Sequence, residues 1–377
     1  MYGVKCPKCG LMQLPKEQCE SCGRKLEGHK GLAFERPSPE AISAPSYWPQ
    51  SEVTVQVRPK TDLIETRSLS FHGAGWPLFG IHVLNAFLTI ITLGFYSFWG
   101  KTKVRRFLWG GTEMEGDRFV YHGTGKELLI GFFKAMLVFT LPVTLLNILP
   151  LFLEPKKTAS VICMLLTYDL LMVFIPLAMV GARRYRLSRT SWRGIHFSFR
   201  GKTWEFVKIF LGGGILTLLT LGFYYPFFTT NRHEFMVAHA YFGNHRFEFD
   251  GRGRDLLKPF LLAVLMTLPT LGLCWFWFLA GKQRYFWGHT HLDAIHFRST
   301  VTGRRFLALH ATNLLLLILT LGLAWSWVMV RKIRFTFAYL TLDGLVDPAM
   351  IRQDAQDATA IGDILAGFMD AGLDLGS

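Results

Sequence analysis

The chain has 377 residues, half of them hydrophobic, with 33 Phe and a formal net charge of +14. Its mean hydropathy of +0.27 excludes most soluble globular domains and favours a membrane protein. The basic residues are spread over many short loops, which argues against nucleic acid as a partner and fits contact with membrane lipids.

Residues 1–30 predict a small zinc ribbon. Two Cys-x-x-Cys pairs, Cys6 with Cys9 and Cys19 with Cys22, are separated by nine residues, and a glycine follows each pair. Four thiolates on two tight turns provide a closed tetrahedral shell for a structural Zn²⁺ ion, with no open position for catalysis. The alternative is two disulfides in an exported domain. A closed zinc site predicts tethering or contact with a protein partner.

Two further segments differ in composition from the rest of the chain. Residues 31–68 are rich in proline, with Ser and Glu between the prolines, which predicts an extended linker. Residues 346–377 carry six Asp and one Arg, with apolar residues at helical spacing. This tail predicts a short acidic amphipathic helix that could also contact a protein partner.

The region between them, residues 69–345, predicts a polytopic α-helical membrane domain. Its apolar runs exceed the roughly 20 residues that cross about 30 Å of hydrocarbon, and they lack the alternation of membrane strands. We expect about six transmembrane helices, at residues 77–99, 128–153, 159–181, 205–228, 256–280 and 306–330.

A repeat of about 50 residues runs through this domain. The tripeptide Thr-Leu-Gly begins at Thr220, Thr270 and Thr320, and an earlier copy begins at Thr92. Each unit predicts an apolar helix, then Thr-Leu-Gly, aromatic residues, a basic helical exit and a short strand. The alternating segments 117–122, 195–199 and 246–250 predict such strands, and we expect them to pair outside the bilayer.

Thr-Leu-Gly has two interpretations. The glycine and threonine are typical of close packing or a kink between membrane helices, and they are also typical of broken helices that line a cavity. The distribution of Lys and Arg places the exits of the first, third and fifth predicted spans in the cytoplasm. That count conflicts with a cytoplasmic zinc ribbon unless some runs are re-entrant hairpins. We expect six full spans with both termini in the cytoplasm.

Few side chains suggest chemistry. Asp169 and Lys134 are charged residues inside apolar runs, and such residues are functional candidates by default. His289, His291 and Asp293 would share one face of a strand, with His296 nearby, and could hold a metal. We expect no enzyme, because the common catalytic motifs are absent. The interfacial basic candidates at the helical exits are Arg106, Arg184, Arg284 and Arg334, and two candidates for polar contacts between helices are Asn85 and Asn313.

Three segments resemble the YjgN-like family of bacterial inner-membrane proteins. They are residues 92–106, 121–129 and 183–197, and the acidic end is also similar. The resemblance covers about residues 69–377 but not the cysteine pairs. It implies an inner-membrane location and a shared architecture, and it implies no reaction. Transport, channel activity or lipid handling is the function we expect, and a membrane scaffold or regulator is the alternative.

Overall fold

A computed structural model describes residues 4–5, 12–13, 66–153, 156–344 and 352, and the chain divides into two compact units, Met1–Thr61 and Asp62–Ser377. In the first unit, β1 (Val4–Lys5) pairs antiparallel with β2 (Met12–Gln13). The four cysteines of the predicted zinc ribbon, the predicted linker up to residue 65 and most of the acidic tail lie outside the described residues.

The second unit is built on a closed antiparallel barrel of ten short strands. Neighbouring strands pair in chain order, and the pairing of β12 with β3 joins the two ends of the unit. The strands are β3 (Thr66–Phe71), β4 (Thr112–Met114), β5 (Asp117–Tyr121), β6 (Thr190–Trp192), β7 (Ile195–Phe199), β8 (Ala240–Phe242), β9 (His245–Phe249), β10 (Thr290–Leu292), β11 (Ile295–Ser299) and β12 (Leu340–Asp343).

Large apolar side chains fill the barrel. Residues that alternate along the strands point inward, as the pleat of a strand requires. Phe119, Trp192 and Phe242 are buried there together with Leu292, Ile295 and Leu342. Phe197, Phe247 and Phe297 pack against this cluster. The barrel is therefore a solid core and encloses no described channel.

Ten described α-helices occur in five consecutive pairs. They are α1 (Gly75–Ile91), α2 (Ser97–Gly111), α3 (Gly125–Ile148), α4 (Lys156–Ser188), α5 (Thr203–Leu219), α6 (Tyr225–Ala238), α7 (Leu257–Met266), α8 (Cys274–Gly288), α9 (Gly303–Leu319) and α10 (Trp325–Ala338). Each pair follows one strand and leads into the next strand, which is antiparallel to the first. All five pairs therefore leave from the same end of the barrel, and the tight strand turns lie at the other end.

The helices form a closed ring on the barrel. Each helix contacts the next one in the chain, and α10 contacts α1. The second helices of neighbouring pairs also pack against each other. Val330 and Ile333 of α10 share a cluster with Val104 and Leu108 of α2, and a second cluster joins α4 to α6.

The expected fold class, a polytopic bundle of about six membrane-spanning helices, is wrong. Short helices α1, α2 and α5 to α10 replace four of the predicted spans, because the chain reverses at each Thr-Leu-Gly. A single closed barrel also keeps both ends of every helical pair on one side of a membrane. Among the described residues, two helical stretches are long and apolar enough to cross one, Gly125–Leu151 and Lys157–Ser188.

The predicted strands are confirmed as β5, β7 and β9. They do not pair directly with one another, because β6 and β8 lie between them.

Candidate functional site

Each Thr-Leu-Gly forms a sharp turn that satisfies its own backbone. The Thr92 hydroxyl donates to the carbonyl of Leu88 (2.7 Å) and accepts from the backbone N–H of Tyr96 (2.9 Å). The Gly94 N–H donates to the carbonyl of Thr89 (2.7 Å), the hydrogen bond that closes a helix in the Schellman motif. Such a turn needs no water, which suits it to an apolar phase. The same hydroxyl contacts recur at Thr220, Thr270 and Thr320.

A leucine lies at the tip of each of these turns, in the left-handed region of backbone conformation. L-residues enter this region at a cost, and in water Asn or Gly is the usual choice. These leucines are at least 90% exposed, with φ of 49–50°. Their positions are Leu93, Leu221, Leu271 and Leu321.

The opposite end of the barrel has the same backbone conformation with the opposite chemistry. Glu115, Arg193 and Asp293 have φ of 54°, 51° and 49° in the strand turns. One end of the molecule therefore presents charged residues in this conformation, and the other presents leucine. This contrast indicates that the helical tips contact an apolar phase and that the strand turns contact water.

A shallow apolar groove lies between α1, α9 and α10 and has a volume of about 550 Å³. The rings of Trp76 and Trp327 are 5.0 Å apart at its wall, and Phe79 lies 5.1 Å from Trp327. Arg331 is the charged residue of the lining, and its guanidinium donates to the hydroxyl of Thr312 (3.0 Å). Leu316, Thr320, Leu323 and Ala324 complete the lining.

Three cationic side chains and a histidine, together called the cation group, lie on neighbouring second helices close to the barrel. The group consists of Arg183 of α4, Arg232 and His233 of α6, and Lys282 of α8. The His233 ring stacks on Phe286 of α8 at 4.1 Å, and the Lys282 ammonium lies 3.5 Å from the Tyr225 hydroxyl. These contacts hold α6 and α8 side by side.

Burial and repulsion between like charges both lower pKa values in this group. Burial, followed by the charges of Arg183, Lys282 and Arg232, lowers the pKa of His233 to about 3. Burial, followed by the charge of Arg232, lowers the pKa of Lys282 to about 8. His233 is therefore neutral at pH 7, whereas Lys282 keeps most of its charge.

Most of the predicted interfacial arginines form hydrogen bonds that connect neighbouring helical pairs. Three of the four donate to the backbone carbonyl of a glycine that leads into another helical pair, at 2.7–2.9 Å. The sequence contains a signal for this contact, since the first two arginines lie 17 residues before their glycines. Arg284 is exposed on α8. The contacts are Arg106 to Gly123, Arg184 to Gly201 and Arg334 to Gly73.

The two charged residues predicted inside the apolar runs lie apart. Asp169 is exposed on α4 and Lys134 is exposed on α3. Lys134 lies nine residues from the barrel end of α3, and Asp169 lies 19 residues from the barrel end of α4. Their distances from the barrel along the helices therefore differ by about 15 Å. The structure does not bring them together, and their functional roles stay predictions.

The predicted histidine group divides among separate partners. His291 contacts Glu248 (3.1 Å) and stacks near His296, whereas Asp293 contacts His245. His289 approaches Asp250 at 3.9 Å. Within the described ranges, no three of the His, Cys, Asp and Glu side chains are grouped to hold a metal ion. The zinc shell of Cys6, Cys9, Cys19 and Cys22 stays a prediction.

The two asparagines predicted as polar contacts are buried but differ in bonding. The Asn85 amide donates to the carbonyl of Gly100 in α2 (3.2 Å). Neither polar atom of the Asn313 side chain has a hydrogen-bond partner among the described residues.

Sequence reasoning missed the tip leucines and the cation group. A signal existed for Lys282, because the residues four before and four after it, Phe278 and Phe286, are aromatic. A lysine on such a helix face is placed to be buried.

Comparisons with known proteins agree on a family. The family model described as "Bacterial protein of unknown function (DUF898)" matches residues 66–280 and 263–368. The chain is 35% identical over 137 residues to the inner membrane protein YjgN of Escherichia coli (strain K12), and the match covers 36% of this chain and 32% of that protein. The protein of the same name from Salmonella typhimurium is 31% identical over 133 residues, which cover 35% of this chain and 31% of that protein.

The matched region thus spans about a third of the length of these curated relatives. No solved structure matches the chain. The relatives' name supports an inner-membrane location for this chain, in agreement with its exposed apolar helices. Because the family model covers most of the sequence, the chain belongs to the DUF898 family of bacterial proteins of unknown function.

Proposed function

We propose that this chain is a lipid-handling protein of the inner membrane, which binds phospholipid from one leaflet in the groove between α1, α9 and α10. The barrel lies in water at the membrane surface. Four helical pairs enter one leaflet from the barrel, and the pair of α3 and α4 crosses the bilayer and returns.

The helix lengths support this arrangement. The helices α1, α5 and α9 have 17 residues each, which gives them a length of about 25 Å. One leaflet, including its headgroups, is about 20–22 Å thick. Their leucine tips therefore reach the middle of the bilayer. The helices α3 and α4, with 24 and 33 residues, are long enough to cross both leaflets.

The groove is the observation that carries the proposal. It is apolar, and it opens beside the tip at Leu321, where acyl chains would surround it. Arg331 lies nine residues before β12 begins, about 14 Å from the barrel. An acyl chain would lie against Trp76, Phe79 and Trp327, and the guanidinium would contact the phosphate or glycerol oxygens.

The charge distribution supports a cytoplasmic barrel. The basic exits of the second helices, including Arg106, Arg184, Arg284 and Arg334, all lie near the barrel end of the ring. Lysine and arginine accumulate on the cytoplasmic side of membrane proteins. With all exits on one side, the basic loops do not alternate between the two sides of the membrane.

The filled barrel favours lipid handling over conduction along its axis. The alternative of a scaffold that contacts a protein partner rests mainly on segments outside the described ranges. One contact bears on it: the backbone N–H of Arg352, in the acidic tail, donates to the Asn244 side chain in the turn between β8 and β9 (2.9 Å).

The test is phospholipid retention by the full chain in native mass spectrometry. Leu316→Trp fills the groove, and Leu315→Trp makes the same change at an exposed neighbour outside it. We expect Leu316→Trp to lose bound phospholipid and Leu315→Trp to keep it.

Arg331→Gln removes the charge of the groove, and Arg304→Gln is its control at the exposed start of α9. We expect weaker retention in Arg331→Gln alone. Equal retention by all four variants would rule out the groove as the lipid site.

A further inference from the structure

The cation group on α4, α6 and α8 lacks an opposing charge. Among the described residues, no carboxylate forms an ion pair with Arg183, Arg232 or Lys282. The Nε–H of Arg183 is buried and has no hydrogen-bond partner. Arg232 makes one described contact, over the face of Phe228 at 5.8 Å, and Lys282 lies over the rings of Tyr225 and Phe286.

Such an arrangement is costly for a protein on its own. Burial disfavours a charged group, and like charges at short distance disfavour it further. The repulsion falls on His233 and Lys282, the members of the group that can release a proton. A bound anion would remove both costs, because it supplies the opposite charge and accepts the unused N–H groups.

The donors suit one class of anion. The two guanidinium groups are planar donors and the ammonium is a compact one, and they come from three different helices. A tetrahedral anion with several acceptor oxygens can accept hydrogen bonds from such a set of donors. A single carboxylate has two oxygens and would leave donors unused. Each of the four residues keeps some solvent-exposed surface.

We propose that Arg183, Arg232 and Lys282 form a binding site for a phosphate group, with His233 as a further hydrogen-bonding partner. The phosphate belongs either to a lipid headgroup or to a soluble phosphorylated compound. The site lies on α4, α6 and α8 and the lipid groove on α1, α9 and α10, so the proposal does not depend on the proposed function.

The chain supplies a matched control. Lys332 of α10 is 50 residues after Lys282, at the same place in its helical pair, and it lies over its own Trp325 at 5.9 Å. Lys282→Met and Lys332→Met therefore remove the same charge from equivalent positions, one inside the cation group and one outside it.

The experiment uses the full chain in nanodiscs of phosphatidylcholine, and inorganic phosphate is the probe. We expect phosphate to raise the unfolding temperature of the wild type and of Lys332→Met. Loss of one charge-assisted hydrogen bond should weaken phosphate binding by about tenfold or more in Lys282→Met. Without phosphate, Lys282→Met should unfold at a higher temperature than the wild type, because one buried charge is gone.

A second arm identifies the source of the phosphate. Nanodiscs that contain phosphatidic acid replace added phosphate, and bound lipid is measured by native mass spectrometry. Retention of phosphatidic acid that is lost in Lys282→Met supports a headgroup ligand, and a response to inorganic phosphate alone supports a soluble one. If Lys282→Met and Lys332→Met respond alike to both probes, the site does not exist.

Discussion

At the scale of the residue, the leucines at the helical tips show which phase surrounds each end of the molecule. A polar residue would enter the left-handed conformation more easily, and the strand turns at the other end carry Glu115, Arg193 and Asp293 in that conformation. Leucine occurs at four tips, although it is at least 90% exposed there. An apolar surrounding explains the choice, because it removes the cost of exposing leucine to water.

We predict that Leu321→Asp destabilises the protein in a bilayer by up to about 3 kcal/mol, the cost of an aspartate at the centre of a membrane helix. Leu321→Met is the control, because it keeps an apolar side chain in the same conformation. The free energy of unfolding in nanodiscs measures both variants. A Leu321→Asp protein as stable as the wild type would show that the tip is in water.

The cation group shows a limit of residue-scale reasoning. Each of its members follows an apolar run at a basic exit, where solvated charges are expected. Arg184 and Arg183 are adjacent in the sequence, yet Arg184 donates to Gly201 and Arg183 faces the His233 group. Only the packing of α4 against α6 separates these two roles.

At the scale of the element, glycines allow neighbouring helical pairs to approach closely. A Cβ atom on Gly75 would lie 2.4 Å from the ring of Trp327, and one on Gly303 would lie 2.5 Å from the ring of Trp277. The aromatic residue after each Thr-Leu-Gly therefore packs onto the beginning of the next pair. This packing of an aromatic ring on a glycine also joins α10 to α1 and so closes the ring of helices.

We predict that Gly253→Ala destabilises the protein by about 1–3 kcal/mol, the usual cost of overpacking. Its new Cβ would lie 2.6 Å from the Cα of Phe227, and a backbone atom cannot rotate away.

Gly212→Ala is the control for this change. That position in α5 has no neighbouring atom within 4 Å, so alanine should stabilise the helix by about 0.5–1 kcal/mol. Thermal unfolding of both variants measures the difference. Destabilisation of equal size at both positions would contradict the close packing at Gly253.

At the scale of the whole molecule, the closed barrel determines the topology. A barrel of short strands lies on one side of a membrane, so every connection between a strand and a helix lies on that side as well. Six full spans would instead alternate these connections between the two sides. Phe152 and Asp250 together distinguish the arrangements. Six spans with both termini in the cytoplasm place both residues in the cytoplasm, and the opposite six-span orientation places both outside it.

We predict that a membrane-impermeant thiol reagent added to whole cells with a permeable outer membrane labels Phe152→Cys and does not label Asp250→Cys. Phe152 is 81% exposed beyond α3, on the far side of the bilayer in the proposed arrangement. The unsubstituted chain controls for the native cysteines. Labelling of both variants, or of neither, would support alternating spans, and labelling of Asp250→Cys alone would indicate the inverted orientation.

The sequence by itself determined the membrane location of the protein, the strands β5, β7 and β9, and the family resemblance. These features depend on composition, on alternation over a few residues and on local motifs. It did not distinguish a helical hairpin from a span, because hydropathy measures how apolar a run is and not where the chain reverses.

Only the tertiary structure decided the barrel, the ring and the cation group. The pairing of Thr341 with Ser68 joins strands from the two ends of the unit, and strands of four and six residues carry too little pattern to specify such partners. Lys282 and Arg183 share one site because α4, α6 and α8 stand side by side on the barrel. That proximity arises from the closure of the sheet, which no local segment of the sequence encodes.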